Sequence, residues 1–134
     1  MELALPAPGP KLPTYFRYGL AAQLALVALI SLGAYAGLLP HSLAALPHAD
    51  LIGHAVLIGP LAFFLDGALD FRPVYRGLPA LRLAPLLVIA LAGLEEYAQR
   101  YSSRRTSCWS DFLADVLGIC LFSWLARRLA DALR

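Results

Sequence analysis

The stretch EEYAQRYSSRRTSCWSDFLADVLG, residues 95–118, decides how this chain is read. It leaves one apolar segment, crosses a short polar loop and enters the next apolar segment. Within it stand Glu95, Glu96, Gln99, Arg100, Arg104, Arg105, Asp111 and Asp115. Both flanking segments are apolar enough to lie in a bilayer, where ionisable groups are expensive unless they are paired or functional.

Composition supports a membrane setting. Of 134 residues, 60% are hydrophobic, against about 45–50% in a typical soluble domain, and the mean hydropathy is +0.66. The net charge of +2 is too small to argue for nucleic acid, and the arginines lie between apolar runs rather than on one face. Cys108 and Cys120 make no disulfide framework. On one helix they would lie about 18 Å apart, too far to bridge, and Cys120 reads as a packing residue.

Working outward, the apolar runs predict four membrane spans. A proline-rich arm, residues 1–17, holds Pro6, Pro8, Pro10 and Pro13 and is expected to be extended. The membrane domain is residues 18–134. Its spans are expected at Gly19–Leu39, Leu51–Leu69, Leu83–Tyr101 and Asp111–Leu125, each near the roughly 20 residues that cross a bilayer. A cleaved signal peptide is the rival reading of the first span, since Ala34-Tyr35-Ala36 resembles a cleavage site. The long arm before it argues against that. Pro60 should kink the second span. Trp109, Tyr97, Tyr101 and Trp124 read as interfacial aromatics, and Asp66 and Asp70 as interfacial acids near Arg72 and Arg76.

Four spans put both termini on one side. With the termini inside, the cytoplasmic segments hold Lys11, Arg17, Arg72, Arg76, Arg82, Arg127, Arg128 and Arg134, and the outer loops hold only Arg100, Arg104 and Arg105. Basic residues favour the cytoplasmic side. The expected fold is therefore all-α, a four-helix transmembrane bundle with both termini cytoplasmic.

That topology sets depth. His54, Glu96 and Asp115 each fall about 6 Å beneath the outer surface at 1.5 Å per residue. Asp111, Asp115 and Gly118 share one helix face, as do Glu96 with Gln99 and Asp50 with His54, and Gly118 allows a neighbouring helix to come close. The carboxylates Glu95, Glu96, Asp111 and Asp115 face three arginines and a histidine, a near-balance suited to an inward-facing cluster. Arg105 is its expected key member, because its five donors can serve two carboxylates at once.

These residues carry a resemblance. Glu95-Glu96-x-x-Gln99, followed by Arg105, Asp111, Asp115 and Gly118, resembles the VanZ-like family of small bacterial integral membrane proteins, and Asp50-x-x-x-His54 resembles that family's motif before its second helix. Leu51 stands where the family usually has Lys, Ile58 where Tyr is common, and Ser102-Ser103 in place of a Pro-Gly turn. The resemblance implies a multi-pass protein of the bacterial inner membrane. The family's namesake is associated with teicoplanin resistance, which points to an envelope lipid or a glycopeptide-like molecule as ligand.

The expected cluster, or ligand site, is Asp50, His54, Glu95, Glu96, Gln99, Arg105, Asp111 and Asp115. The plainer readings are structural: His54 capping or packing, Arg105 pairing with Asp111 or Glu96, Asp115 as a buried hydrogen-bond hub. The sharper ones are ligand contact or proton transfer at His54, phosphate recognition by Arg105 and acid catalysis by Asp115. Ser107 with His54 lacks any motif for an oxyanion hole. His54, Glu96 and Asp115 match metal-ligand types, but neighbouring arginines oppose a bound cation. No metal, cofactor or catalysis is therefore expected, and membrane lipids are the expected partners. An accessory subunit packed on a larger membrane complex is the alternative, and an intramembrane enzyme acting on lipid-linked substrates is the next.

Overall fold

The computed structural model describes residues 12–38, 48–78, 80–103 and 108–133. They form an all-α fold of four helices: α1 (Leu12–Ala36), α2 (Ala49–Ala68), α3 (Leu83–Gln99) and α4 (Trp109–Leu133). α1, α2 and α4 are long and apolar enough to cross a membrane. α3 has 17 residues, about 26 Å at 1.5 Å per residue.

The helix ends differ from the sequence expectation at both termini. α1 begins at Leu12, so residues 12–17 of the expected arm are helical. Pro13 falls in the first turn, where its missing N–H leaves no bond unmade. The rest of the arm, residues 1–11, lies outside the described residues. α1 stops at Gly37, whose φ of 72° suits glycine. Leu38 N–H reaches the Gly33 carbonyl at 2.8 Å and Gly37 N–H the Ala34 carbonyl at 3.1 Å, the paired bonds of a Schellman stop. α4 runs past Leu125 to Leu133, so Arg127 and Arg128 are helical.

α2 is the centre of the bundle. It touches α1, α3 and α4, most extensively α4. α2 and α4 run parallel: Ala55 meets Gly118, and further along Gly59 meets Phe122. Small residues let the backbones approach, which is how helices associate where lipid removes the hydrophobic drive. α1 runs antiparallel to α2, with Phe64 lying against Gly19 and Phe16 against Gly67. The ends of the described chain therefore share one end of the bundle, where Phe16, Ala68 and Ala126 pack together. The middle is apolar, built on Leu61, Ala62, Val88 and Ile119.

Pro60 lies inside α2 and cannot donate to the Val56 carbonyl. At the neighbouring position, Gln23 Nε2 on α1 donates to the Leu57 carbonyl at 2.7 Å. A side chain from an adjacent helix thus serves the backbone that the proline loosens.

The outer surface is the reverse of a soluble bundle's. Leu29 and Leu32 on α1, Leu91 and Leu94 on α3, and Leu113, Leu117 and Leu121 on α4 all face outward, while Asp66, Glu96, Gln99, Asp111 and Asp115 are buried. Large contiguous apolar surface marks contact with lipid or with another apolar partner. Cys120, expected inside, is exposed on this surface.

Candidate polar site at one end of the bundle

Parallel packing of α2 and α4 sets their N-termini side by side. Each carries an aspartate in its first turn, Asp50 on α2 and Asp111 on α4, where the positive end of the helix dipole favours a carboxylate. α3 runs the other way and delivers its last turn, with Glu95, Glu96 and Gln99, to the same end. Acids there oppose the dipole, by about 0.3–1 kcal/mol each when exposed, so their neighbours must compensate.

His54 joins α2 to α4. Its Nδ1 lies 3.2 Å from Asp115 Oδ1 and 3.3 Å from Oδ2. Its Nε2 faces Asp111 Oδ2 at 4.0 Å, beyond hydrogen-bonding distance. Asp50, His54 and Asp111 each place one ligand-type atom within 4.8 Å of the others. Asp111 is 5% exposed, and its other oxygen meets Ser110 Oγ only at 3.5 Å. Asp50, His54, Glu96 and Asp115 are all within electrostatic range of Asp111.

The carboxylates of α3 divide. Glu96 Oε1 accepts the backbone N–H of Cys108, capping the approach to α4 from a different helix. Glu96 Oε2 is buried with no hydrogen-bond partner among the described residues. Glu95 turns toward α1: Gln99 Nε2 donates to its Oε2 at 2.8 Å, and the Tyr35 hydroxyl donates to its Oε1 at 3.4 Å. Gln99 therefore works with Glu95, one turn back, rather than with Glu96. Gln99 Oε1 is also unpartnered among the described residues. In the sequence Tyr35 stands only within the cleavage-site resemblance, not in the expected cluster. Its hydroxyl at the end of an otherwise apolar span was the available signal.

Beside Glu96 a cleft of about 230 Å³ opens between α3 and α4, lined by Gly93, Glu96, Tyr97, Arg100, Trp109 and Phe112. Arg100 does not pair with the carboxylates; its guanidinium lies over the Tyr97 ring, 5.8 Å from the centroid. Tyr97 and Tyr101 share a hydrogen bond of 2.9 Å between hydroxyls, which holds the Tyr101 phenol above its ordinary pKa. Arg104, Arg105 and Ser107, all part of the sequence reading, lie outside the described residues. Within the described residues, His54 is the cationic-type side chain in ion-pair range of the cluster.

The opposite end of the bundle holds a second polar contact. Asp66, expected at the interface near Arg72 and Arg76, is instead fully buried and ion-paired with Arg82. The loop after α2 folds back on itself, with Val74 N–H bonded to the Leu81 carbonyl and Leu83 N–H to the Arg72 carbonyl, at 2.9 and 3.0 Å. That return sets Arg82 at the head of α3, where Nη1 and Nη2 also donate to the Ser123 carbonyl on α4, at 3.3 and 3.2 Å. An acid inside an apolar run was the signal for Asp66; the choice of Arg82 over Arg72 and Arg76 depends on the loop's path.

No protein-family model, curated protein or solved structure matches this chain.

Proposed function

We propose that this chain is a VanZ-like, four-span protein of the bacterial inner membrane, with both termini cytoplasmic. In this reading its outward polar end binds, without catalysis, the head group of an envelope lipid or of a glycopeptide-like molecule. The carrying observation is the contrast between the two polar ends. Asp66 is ion-paired one to one with Arg82, which also donates to the Ser123 carbonyl, although Asp66 Oδ1 and Ser123 Oγ have no hydrogen-bond partner among the described residues. The His54 end gathers several carboxylates, leaves Glu96 Oε2 without a partner among the described residues, and borders an open cleft. Buried polar atoms are normally satisfied, so a ligand supplying donors fits this end. An ammonium or hydroxyl group would meet Glu96, and a phosphate would reach Arg100 at the rim. Tyr97, Tyr101 and Trp109 are exposed around it, the residue types that favour a bilayer surface.

The test is native mass spectrometry of the detergent-solubilised chain with phosphatidylethanolamine as probe. Retention should fall several-fold in Glu96→Gln and Arg100→Leu and stay unchanged in Asp131→Asn. Equal retention in all of them overturns the reading. A partner chain co-purifying at fixed stoichiometry favours the accessory-subunit reading, and turnover of a lipid-linked substrate lost in Glu96→Gln favours the enzyme.

A further inference from the structure

We propose that Asp50, His54 and Asp111 form a binding site for one divalent transition-metal ion, with Asp115 orienting the histidine. The inference is independent of the head-group reading.

The argument starts from the histidine proton. Asp115 presents two acceptor oxygens to Nδ1, at 3.2 and 3.3 Å, and an ionised carboxylate has no donor. Nδ1 therefore carries the proton, an assignment made from the hydrogen-bond network. In the neutral ring Nε2 is then a lone pair, and what it faces is another lone pair, on Asp111 Oδ2 at 4.0 Å. A proton on Nε2 would leave that distance too long for a hydrogen bond. Asp111 is 95% buried, being 5% exposed, and no donor among the described residues meets that oxygen. Two electron pairs facing each other across 4.0 Å suit a cation between them.

The geometry suits a metal. Zinc bonds to imidazole nitrogen and carboxylate oxygen are about 2.0–2.2 Å long, so two ligands on one ion lie about 3.4 Å apart at a tetrahedral angle and about 4.2 Å apart when opposed. The His54–Asp111 separation of 4.0 Å falls inside that range. Asp50, one helical turn before His54, supplies a third atom; the three lie within 4.8 Å of one another, so the exposed Asp50 side chain closes the remaining few tenths of an ångström on the ion. One imidazole with two carboxylates suits Zn²⁺ or Mn²⁺ rather than the thiolate-loving ions. A carboxylate held on the far ring nitrogen is the usual support of a metal-bound histidine, and Asp115 fills that role. Asp50 is exposed, which opens the site to solution and leaves a position free for water or a ligand oxygen.

Charge points the same way. The N-termini of α2 and α4 supply about half a positive charge each, against the four carboxylates of Asp50, Glu96, Asp111 and Asp115. A dication offsets most of the remainder. Of the arginines expected to oppose a cation, Arg100 is described, and its guanidinium lies over the Tyr97 ring.

The experiment uses the full chain, purified in detergent and stripped with chelator, titrated with Zn²⁺ by calorimetry and with Co²⁺ by visible absorption. Wild type should take up one Zn²⁺ per chain, give the d–d bands of a low-coordinate Co²⁺ site and melt higher with Zn²⁺. His54→Gln and Asp111→Asn should lose uptake, and Asp115→Asn should weaken it about 10–100-fold. Asp50→Asn changes only an exposed side chain, so it should fold as wild type yet lose the Zn²⁺-induced rise in Tm. Asp131→Asn should behave as wild type. The proposal is overturned if wild type takes up no stoichiometric Zn²⁺. It is equally overturned if the Asp50, His54 and Asp111 variants bind as wild type does, which would mean adventitious surface binding. Lipid retention, measured separately, is unaffected by either result.

Discussion

Gly118 on α4 lies directly against the backbone of Ala55 on α2. A Cβ built on it would fall 2.5 Å from the Ala55 carbonyl oxygen and 2.8 Å from its Cα. The contact lies just below the His54–Asp115 pair and sets how closely the two parallel helices approach. The polar cluster depends on that approach, because Asp111 and Asp115 reach α2 only from this separation.

Gly118→Ala should therefore destabilise the bundle by about 1–3 kcal/mol, as overpacking does, since backbone cannot move aside as a flexible side chain can. Gly53, also on α2, has nothing within 4 Å of a built Cβ, so Gly53→Ala should melt at or slightly above the wild-type temperature. Thermal unfolding in detergent, followed by circular dichroism, reads both. Equal melting of the two variants would sink this account of the α2–α4 contact.

The His54–Asp115 pair predicts a coupling. Asp115→Leu alone leaves the His54 Nδ1 donor without its acceptor, which costs about 1–3 kcal/mol in a buried setting. His54→Leu alone strands the Asp115 carboxylate and should cost at least as much. The double variant should be less destabilised than the sum of the singles, by 0.5 kcal/mol or more. Simple additivity in urea or SDS titrations would show that the two side chains do not act as a pair.

Asp66 and Arg82 should behave as a buried ion pair. Removing either partner alone, by Asp66→Leu or Arg82→Leu, leaves an uncompensated charge and should cost about 3–5 kcal/mol. Replacing both with leucine should restore most of the loss, because well-packed apolar residues often substitute for a buried pair. Expression level and melting temperature of the three variants test this, and a double variant as unstable as the worse single one would refute it.

Topology can be read from the native cysteine. Cys108 is exposed at the polar end, so in a Cys120→Ala background an impermeant maleimide should label it on intact cells. Arg128→Cys, in a chain also carrying Cys108→Ser and Cys120→Ala, should be labelled only after lysis. The opposite pattern would place the His54 cluster on the cytoplasmic side and remove the envelope ligand from consideration.

Four apolar helices were legible in the residues alone. Hydrophobicity and the 3.6-residue period are local properties, so the runs around Leu24, Leu57, Leu91 and Leu121 announce themselves without any partner. Local spacing also determined that Asp111, Asp115 and Gly118 share a face and that Asp50 and His54 stand one turn apart. How each helix is rotated, and which neighbour it meets, depends on packing in three dimensions. Because lipid is as apolar as the helix surfaces, hydropathy cannot choose that rotation. Close contacts of small residues choose it, Gly118 on Ala55 and Gly59 on Phe122. Packing and loop path together make the contacts that spacing could not reveal: Tyr35 on Glu95, the Cys108 N–H on Glu96, and, through the return of the loop after α2, Arg82 rather than Arg72 on Asp66. Each joins residues from different elements, and each exists only because the packed helices bring those elements to one side-chain length.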